Sequence, residues 1–126
     1  MLRLSMSFQH RANSFGYAFQ GLIELFRSQP NARIHLFITV AVIVAGFFFR
    51  ISHLEWVAVA LCISAVIAME AVNTALEYLT DLVSPDYHPL AGKVKDVAAG
   101  AVLVTAIGAA VVGALIFLPK LYGSFN

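Results

Sequence analysis

Apolar and polar positions divide this chain into a surface segment and three apolar runs. Over 7–28, Phe8, Phe15, Phe19, Leu22 and Phe26 are spaced 7, 4, 3 and 4 apart, whereas Gln9, Asn13, Gln20, Glu24 and Arg27 take the other face. That period predicts an amphipathic helix lying flat at a membrane surface, its aromatics in the headgroup boundary. Pro30 and Asn31 are expected to break it. The run from Ile34 to Phe49 then contains one polar-basic residue, His35, and ends at Arg50, which predicts a short first span over about 34–50. Trp56 follows as an expected interfacial anchor. A second helix is expected over 54–83, apolar through Met69 and continuing past the hydrocarbon until Ser84 and Pro85 end it. The loop from Asp86 to Lys95 returns the chain to a third span over about 96–118. Along that span Ala101, Thr105, Ala109 and Gly113 recur every fourth residue, a spacing that lets helices pack closely, within one chain or between copies.

Composition agrees with the pattern: the 126 residues are 60% hydrophobic and 12% charged, with a mean hydropathy of +0.84. The expected fold class is therefore an all-α membrane protein, a single domain with one interfacial helix and three spans. The net charge of +1 and the lack of any Lys/Arg run exclude a polybasic nucleic-acid binder. Residues 1–33 contain no apolar run long enough for a signal-peptide core, so cleavage is not expected. Cys62 stands alone, so it forms no internal disulfide and reads as a packing residue. Arg3, Arg11, Arg27, Arg33, Lys93 and Lys95 fall on one side of the predicted spans and only Arg50 and Lys120 on the other. This asymmetry places the N-terminus and the 84–95 loop in the cytoplasm.

Candidate chemistry gathers between Glu70 and Asp96. Glu70, Asn73, Glu77 and Asp81 fall on one narrow stripe of a helix turning about 100° per residue. Glu70 lies ~24 Å along the axis from Leu54, just inside the far face of the hydrocarbon, and the other three follow into the aqueous layer. An ionisable residue there marks a functional site, and a carboxylate suits a general base acting on an alcohol. The remaining carboxylates and the amide repel unless a cation or donors join them, and magnesium prefers one or two carboxylates with phosphate oxygens. Lys95 and Asp96 are placed to return to the same region. Phosphoryl transfer fits this set, because it needs positioning and charge neutralisation. No Walker sequence is present, since Gly92-Lys93 is followed by Val94, and the soluble-kinase signatures are missing. Two other readings use the same residues: a small proton-coupled transporter subunit with Glu70 as carrier, and a structural protein whose polar residues only pack. Taken singly, Tyr17, Tyr87 and His88 are ordinary interfacial residues and Asp86 an ordinary turn residue.

The runs EAVNTALEYLTD (70–81), DYHPLA (86–91) and KDVAAGAVL (95–103), with SFGYAFQG (14–21) and NARIH (31–35), resemble the prokaryotic diacylglycerol kinase family. That family comprises small integral-membrane lipid kinases and includes the undecaprenol kinases. The resemblance implies a homotrimer in the bacterial cytoplasmic membrane that uses ATP and Mg2+ to phosphorylate a lipid hydroxyl, either undecaprenol or diacylglycerol. By motif, Glu70 matches the general base, which also meets the lipid, and Asn73 the amide beside it. Glu77 matches a metal ligand that also contacts nucleotide. Asp86, Tyr87, His88, Lys95 and Asp96 match nucleotide-binding positions, joined by Tyr17 and by Arg11 or its neighbour His10. Ala99 matches a position lining the lipid site. One position departs: Gln29 stands where many members carry a glutamate that serves as second ligand to the metal and nucleotide. The YHPLA and KDVAAGAVL wording lies nearer the undecaprenol-kinase-like members.

Overall fold

Pro30 decides the first joint of the chain. The computed structural model describes residues 2–124, and side chains for 7–123; the side chain of Arg3, counted above, lies outside the described residues. Helix α1 covers Leu2–Ser28 and α2 Pro30–Phe48, so only Gln29 separates them. The expected break is there, since α1 ends at Ser28, and Pro30 also opens the next helix, because the first helical position needs no N–H and its fixed φ suits the turn. Asn31 accordingly belongs to α2, and the first span starts earlier than its apolar run.

Helix α3 covers His53–Val83 and α4 Pro89–Ser124. Helix α3 starts one residue before the expected 54 and ends at the expected 83, but α4 begins at Pro89. His88 prepares that start: its Nδ1 accepts a hydrogen bond of 3.0 Å from the Leu90 backbone N–H. The expected 86–95 loop therefore shrinks to residues 84–88, and Lys93, Lys95 and Asp96 ride on the first turns of α4. The same helix runs on through Pro119, beyond the expected end at 118.

Three helices, α2, α3 and α4, are long and apolar enough to cross a membrane. Few side chains are buried within one chain, and large apolar residues such as Phe37, Leu61, Val97 and Leu115 stay exposed. Such faces suit a lipid solvent, which removes the usual penalty for exposing leucine. Helix α4 packs chiefly along α3. Its Ala101, Thr105, Ala109 and Gly113 are half-buried or lie at the contact with the other helices of the same chain.

The end of the bundle around residues 46–56 is tightly closed. Arg50 takes φ 50°, and the Ile51 N–H bonds to the Gly46 carbonyl at 3.1 Å while the Arg50 N–H bonds to Phe47 at 3.3 Å. This is a Schellman ending with arginine at the position that favours glycine. Ser52 then caps α3: its Oγ accepts from the Glu55 N–H at 3.2 Å, and Glu55 Oε1 accepts from the Ser52 N–H at 2.9 Å. The second Glu55 oxygen accepts from Lys120 Nζ at 2.5 Å, tying α3 to α4. Ile51, Val59 and Ile116 form the buried cluster beneath, with Trp56 packed against it. The Trp56 ring covers Gly46 so closely that an added Cβ would meet it at 2.5 Å. The tryptophan expected as an interfacial anchor is thus half-buried packing for the α2–α3 turn.

Candidate active site

At the other end, the polar stripe of α3 meets α2 and α4. Glu70 is 3% exposed, the most buried charged residue among those described. The Thr74 hydroxyl folds back onto the Glu70 carbonyl at 2.9 Å, which uses the backbone and leaves the carboxylate to other partners. His35 of α2 supplies the nearest one: its Nε2 lies 3.2 Å from Glu70 Oε1. The distance is that of an ion pair, but the N–H is not aligned, and Oε1 accepts no hydrogen bond. A carboxylate removed from water without a directed donor is costly, so this oxygen is poised for a partner.

One turn on, Asn73 Nδ2 donates to Glu77 Oε1 at 3.5 Å, a long bond at the limit of useful geometry. Asn73 Oδ1 is buried and also has no partner. Both unsatisfied acceptors therefore sit on the same helix face, within one turn of each other. Asp81 completes the stripe and receives Lys95 Nζ at 2.6 Å. That pair is partly exposed, so it holds the helices together only weakly and opens at little cost. Beside it, Asp81, Asp86, Tyr87, His88 and Lys95 line a small polar cavity of about 180 Å3 at the α3–α4 turn.

Helix α1 is held to this end through Tyr78. Tyr78 donates to Glu24 Oε1 at 3.0 Å and lies 3.1 Å from Ser28 Oγ. Glu24 is thereby engaged with α3 and is not placed to stand in for the glutamate missing at position 29. Gln29 is half-buried at the joint and caps α2 without a side-chain bond.

The chain brings together Glu70, Asn73 and Glu77, and separately Asp86, Tyr87, His88 and Lys95. It does not bring the others to them. Tyr17 is 70% exposed, Arg11 lies on an exposed stretch of α1, and Asp96 and Ala99 are exposed on α4. Lys95 pairs with Asp81 and not with Asp96. One residue was missed from the sequence as a site member, His35, and Asp81, placed on the stripe, was given no role there. His35 carried a signal, being an ionisable group inside an apolar run, the same criterion that singled out Glu70.

Among the described residues no three His, Cys, Asp or Glu side chains cluster to form a protein-only metal site. The donors that are present, Glu77 and the orphaned Asn73 Oδ1, fit a magnesium ion that takes its other ligands from phosphate and water.

Three membrane-length helices with a buried carboxylate and unsatisfied acceptors at one end define a small polytopic membrane protein. The chain belongs to the prokaryotic diacylglycerol kinase family, whose profile matches residues 16–117. It is 42% identical over 108 residues to the undecaprenol kinase of Bacillus subtilis, covering 86% of this chain and 88% of that protein. It is 48% identical over 112 residues to the diacylglycerol kinase of Synechocystis sp., covering 86% of this chain but only 62% of that protein. The diacylglycerol kinase of Haemophilus influenzae is 28% identical over 95 residues, covering 75% of this chain and 80% of its own. The chain is thus a member of a family of lipid kinases, and it is an enzyme. Glu70, Asn73, Glu77 and the 86–96 positions all lie in the matched region, whereas Arg11 precedes it.

Proposed function

We propose that this protein transfers the γ-phosphate of ATP to the hydroxyl of a membrane lipid alcohol at the cytosolic surface. The observation that carries the reading is Glu70 itself, a carboxylate 3% exposed at one end of the Asn73–Glu77 row. In this reading the lipid stays in the bilayer and brings only its hydroxyl to Glu70. Glu70 takes the hydroxyl proton as the oxygen attacks the phosphate, and Asn73 fixes the geometry beside it. Lys95 leaves Asp81 for the phosphates, and Asp86, Tyr87 and His88 bound the nucleotide from the α3–α4 turn. Asp96, Tyr17 and Arg11 or His10 contact the same nucleotide, and Ala99 lines the lipid path.

Magnesium, when bound, neutralises phosphate charge; Glu77 and the Asn73 oxygen would hold it, with Gln29 offering an uncharged amide oxygen. The exposed Tyr17, Asp96 and Ala99 find their ligands in a homotrimer, where a neighbouring copy covers the apolar faces left open in one chain. The Lys/Arg asymmetry supports a cytosolic N-terminus in the bacterial inner membrane.

Polyprenol is the favoured substrate, supported by the match over most of the Bacillus subtilis undecaprenol kinase. The test is competition between undecaprenol and diacylglycerol in the same vesicles with γ-labelled ATP. Label entering undecaprenol preferentially is the expected result; preferential labelling of diacylglycerol would reassign the substrate, and labelling of neither would reject the kinase reading. A proton-coupled carrier would leave the Lys95 and 86–88 cluster without a purpose, and it is not favoured.

A further inference from the structure

His35 is one of the four histidines of the chain, and the motif match gives it no role. It sits on α2, near the start of the apolar run, where a polar side chain is expensive. Its imidazole lines an apolar cavity of about 270 Å3 between α2, α3 and α4, among Ile38, Val42, Val66 and Ala106. Its Nε2 nonetheless turns toward α3, 3.2 Å from Glu70 Oε1, where the side chains are 21% and 5% exposed. Water cannot readily reach that oxygen, and no described group hydrogen-bonds it.

We propose that His35 is a positioning residue for Glu70, and this rests on the kinase reading given above. By holding Oε1 through Nε2–H, His35 leaves Oε2 as the oxygen that faces the lipid hydroxyl. When the lipid O–H bond breaks, its proton goes to Glu70 Oε2 as the lipid oxygen forms its bond to the γ-phosphorus. The bond from that phosphorus to the bridging oxygen breaks, and its electron pair leaves with ADP. His35 exchanges no proton in this sequence. Its misaligned contact becomes a directed hydrogen bond as the carboxylate settles against substrate, a tightening common when an unliganded site fills. The imidazole suits the place because its apolar edge faces the groove while one nitrogen reaches the carboxylate.

The experiment compares His35→Leu and His35→Gln with wild type in the full chain, in lipid vesicles. Leucine fills the groove but removes the donor; glutamine restores an N–H near the Nε2 position. His35→Leu is expected to lower kcat by about 10- to 100-fold, with KM for MgATP unchanged, and His35→Gln to recover most of that loss. In a Glu70→Gln background, His35→Leu is expected to cost nothing further. Equal impairment by leucine and glutamine, a wild-type rate for His35→Leu, or an additive double variant would overturn the proposal. A second readout does not depend on turnover: in protein labelled with 15N-histidine, the His35 Nε2 resonance moves when Glu70 becomes glutamine. An unmoved resonance rejects the contact, whereas a wild-type enzyme that transfers no phosphate rejects the kinase reading instead.

Discussion

The two ends of the helical bundle each carry a buried or half-buried glutamate on α3, and they treat it in opposite ways. Glu55 has both oxygens engaged, one by the Ser52 N–H and one by Lys120. Glu70, more deeply buried, has an oxygen that accepts no hydrogen bond. Around Glu55 the backbone is closed by a capping box and a Schellman ending, and Trp56 leaves no room at Gly46. One or more turns on from Glu70 there are a second orphaned acceptor on Asn73, an open cavity that Asn73 lines, and a partly exposed lysine pair. A charge that only holds helices together has its partners within the chain. A charge kept for chemistry has one left to be supplied.

Changes at the two ends should therefore separate turnover from stability. The largest effect is expected for Glu70→Gln, which keeps the shape and removes the base: phosphate transfer should fall by about 10²- to 10⁴-fold, while circular dichroism melting in detergent stays near wild type. At the closed end, Gly46→Ala forces a methyl into the Trp56 ring and should cost about 1–3 kcal/mol of stability. A lowered melting temperature with an unchanged rate per folded molecule checks it. Gln29→Glu restores charge near the proposed metal position and should lower the magnesium needed for half-maximal rate by several-fold; an unchanged magnesium titration would remove Gln29 from the site. The smallest effect is expected for Arg50→Gly. Glycine relieves the left-handed conformation, worth at most about 1 kcal/mol, so melting should rise slightly and turnover should not move.

The sequence carried the spans because apolar runs longer than a core helix have one reading in a chain of this composition. It also carried the stripe, since Glu70, Asn73, Glu77 and Asp81 recur at the helical period. What it misplaced were the joints. Pro30, expected to break α1, also opens α2, and Pro89, taken for a loop residue, is the first residue of α4, its start prepared by the residue before it. At Pro89 that residue is His88, whose ring caps the turn. Contacts between helices were beyond the pattern altogether. His35 and Glu70 lie 35 positions apart, and no periodicity joins them; Lys95 and Asp81 lie on different helices, and only the packing pairs them. Periodicity sorts residues onto faces, while the packing of faces decides which charges meet.

The most direct measurement follows γ-labelled phosphate from ATP into undecaprenol for wild type, Glu70→Gln and Gly46→Ala at equal concentrations of folded protein. Wild type and Gly46→Ala are predicted to label the lipid at the same rate, and Glu70→Gln to label it at least about a hundredfold more slowly. Labelling by Glu70→Gln at the wild-type rate would contradict the assignment of the unsatisfied carboxylate as the base.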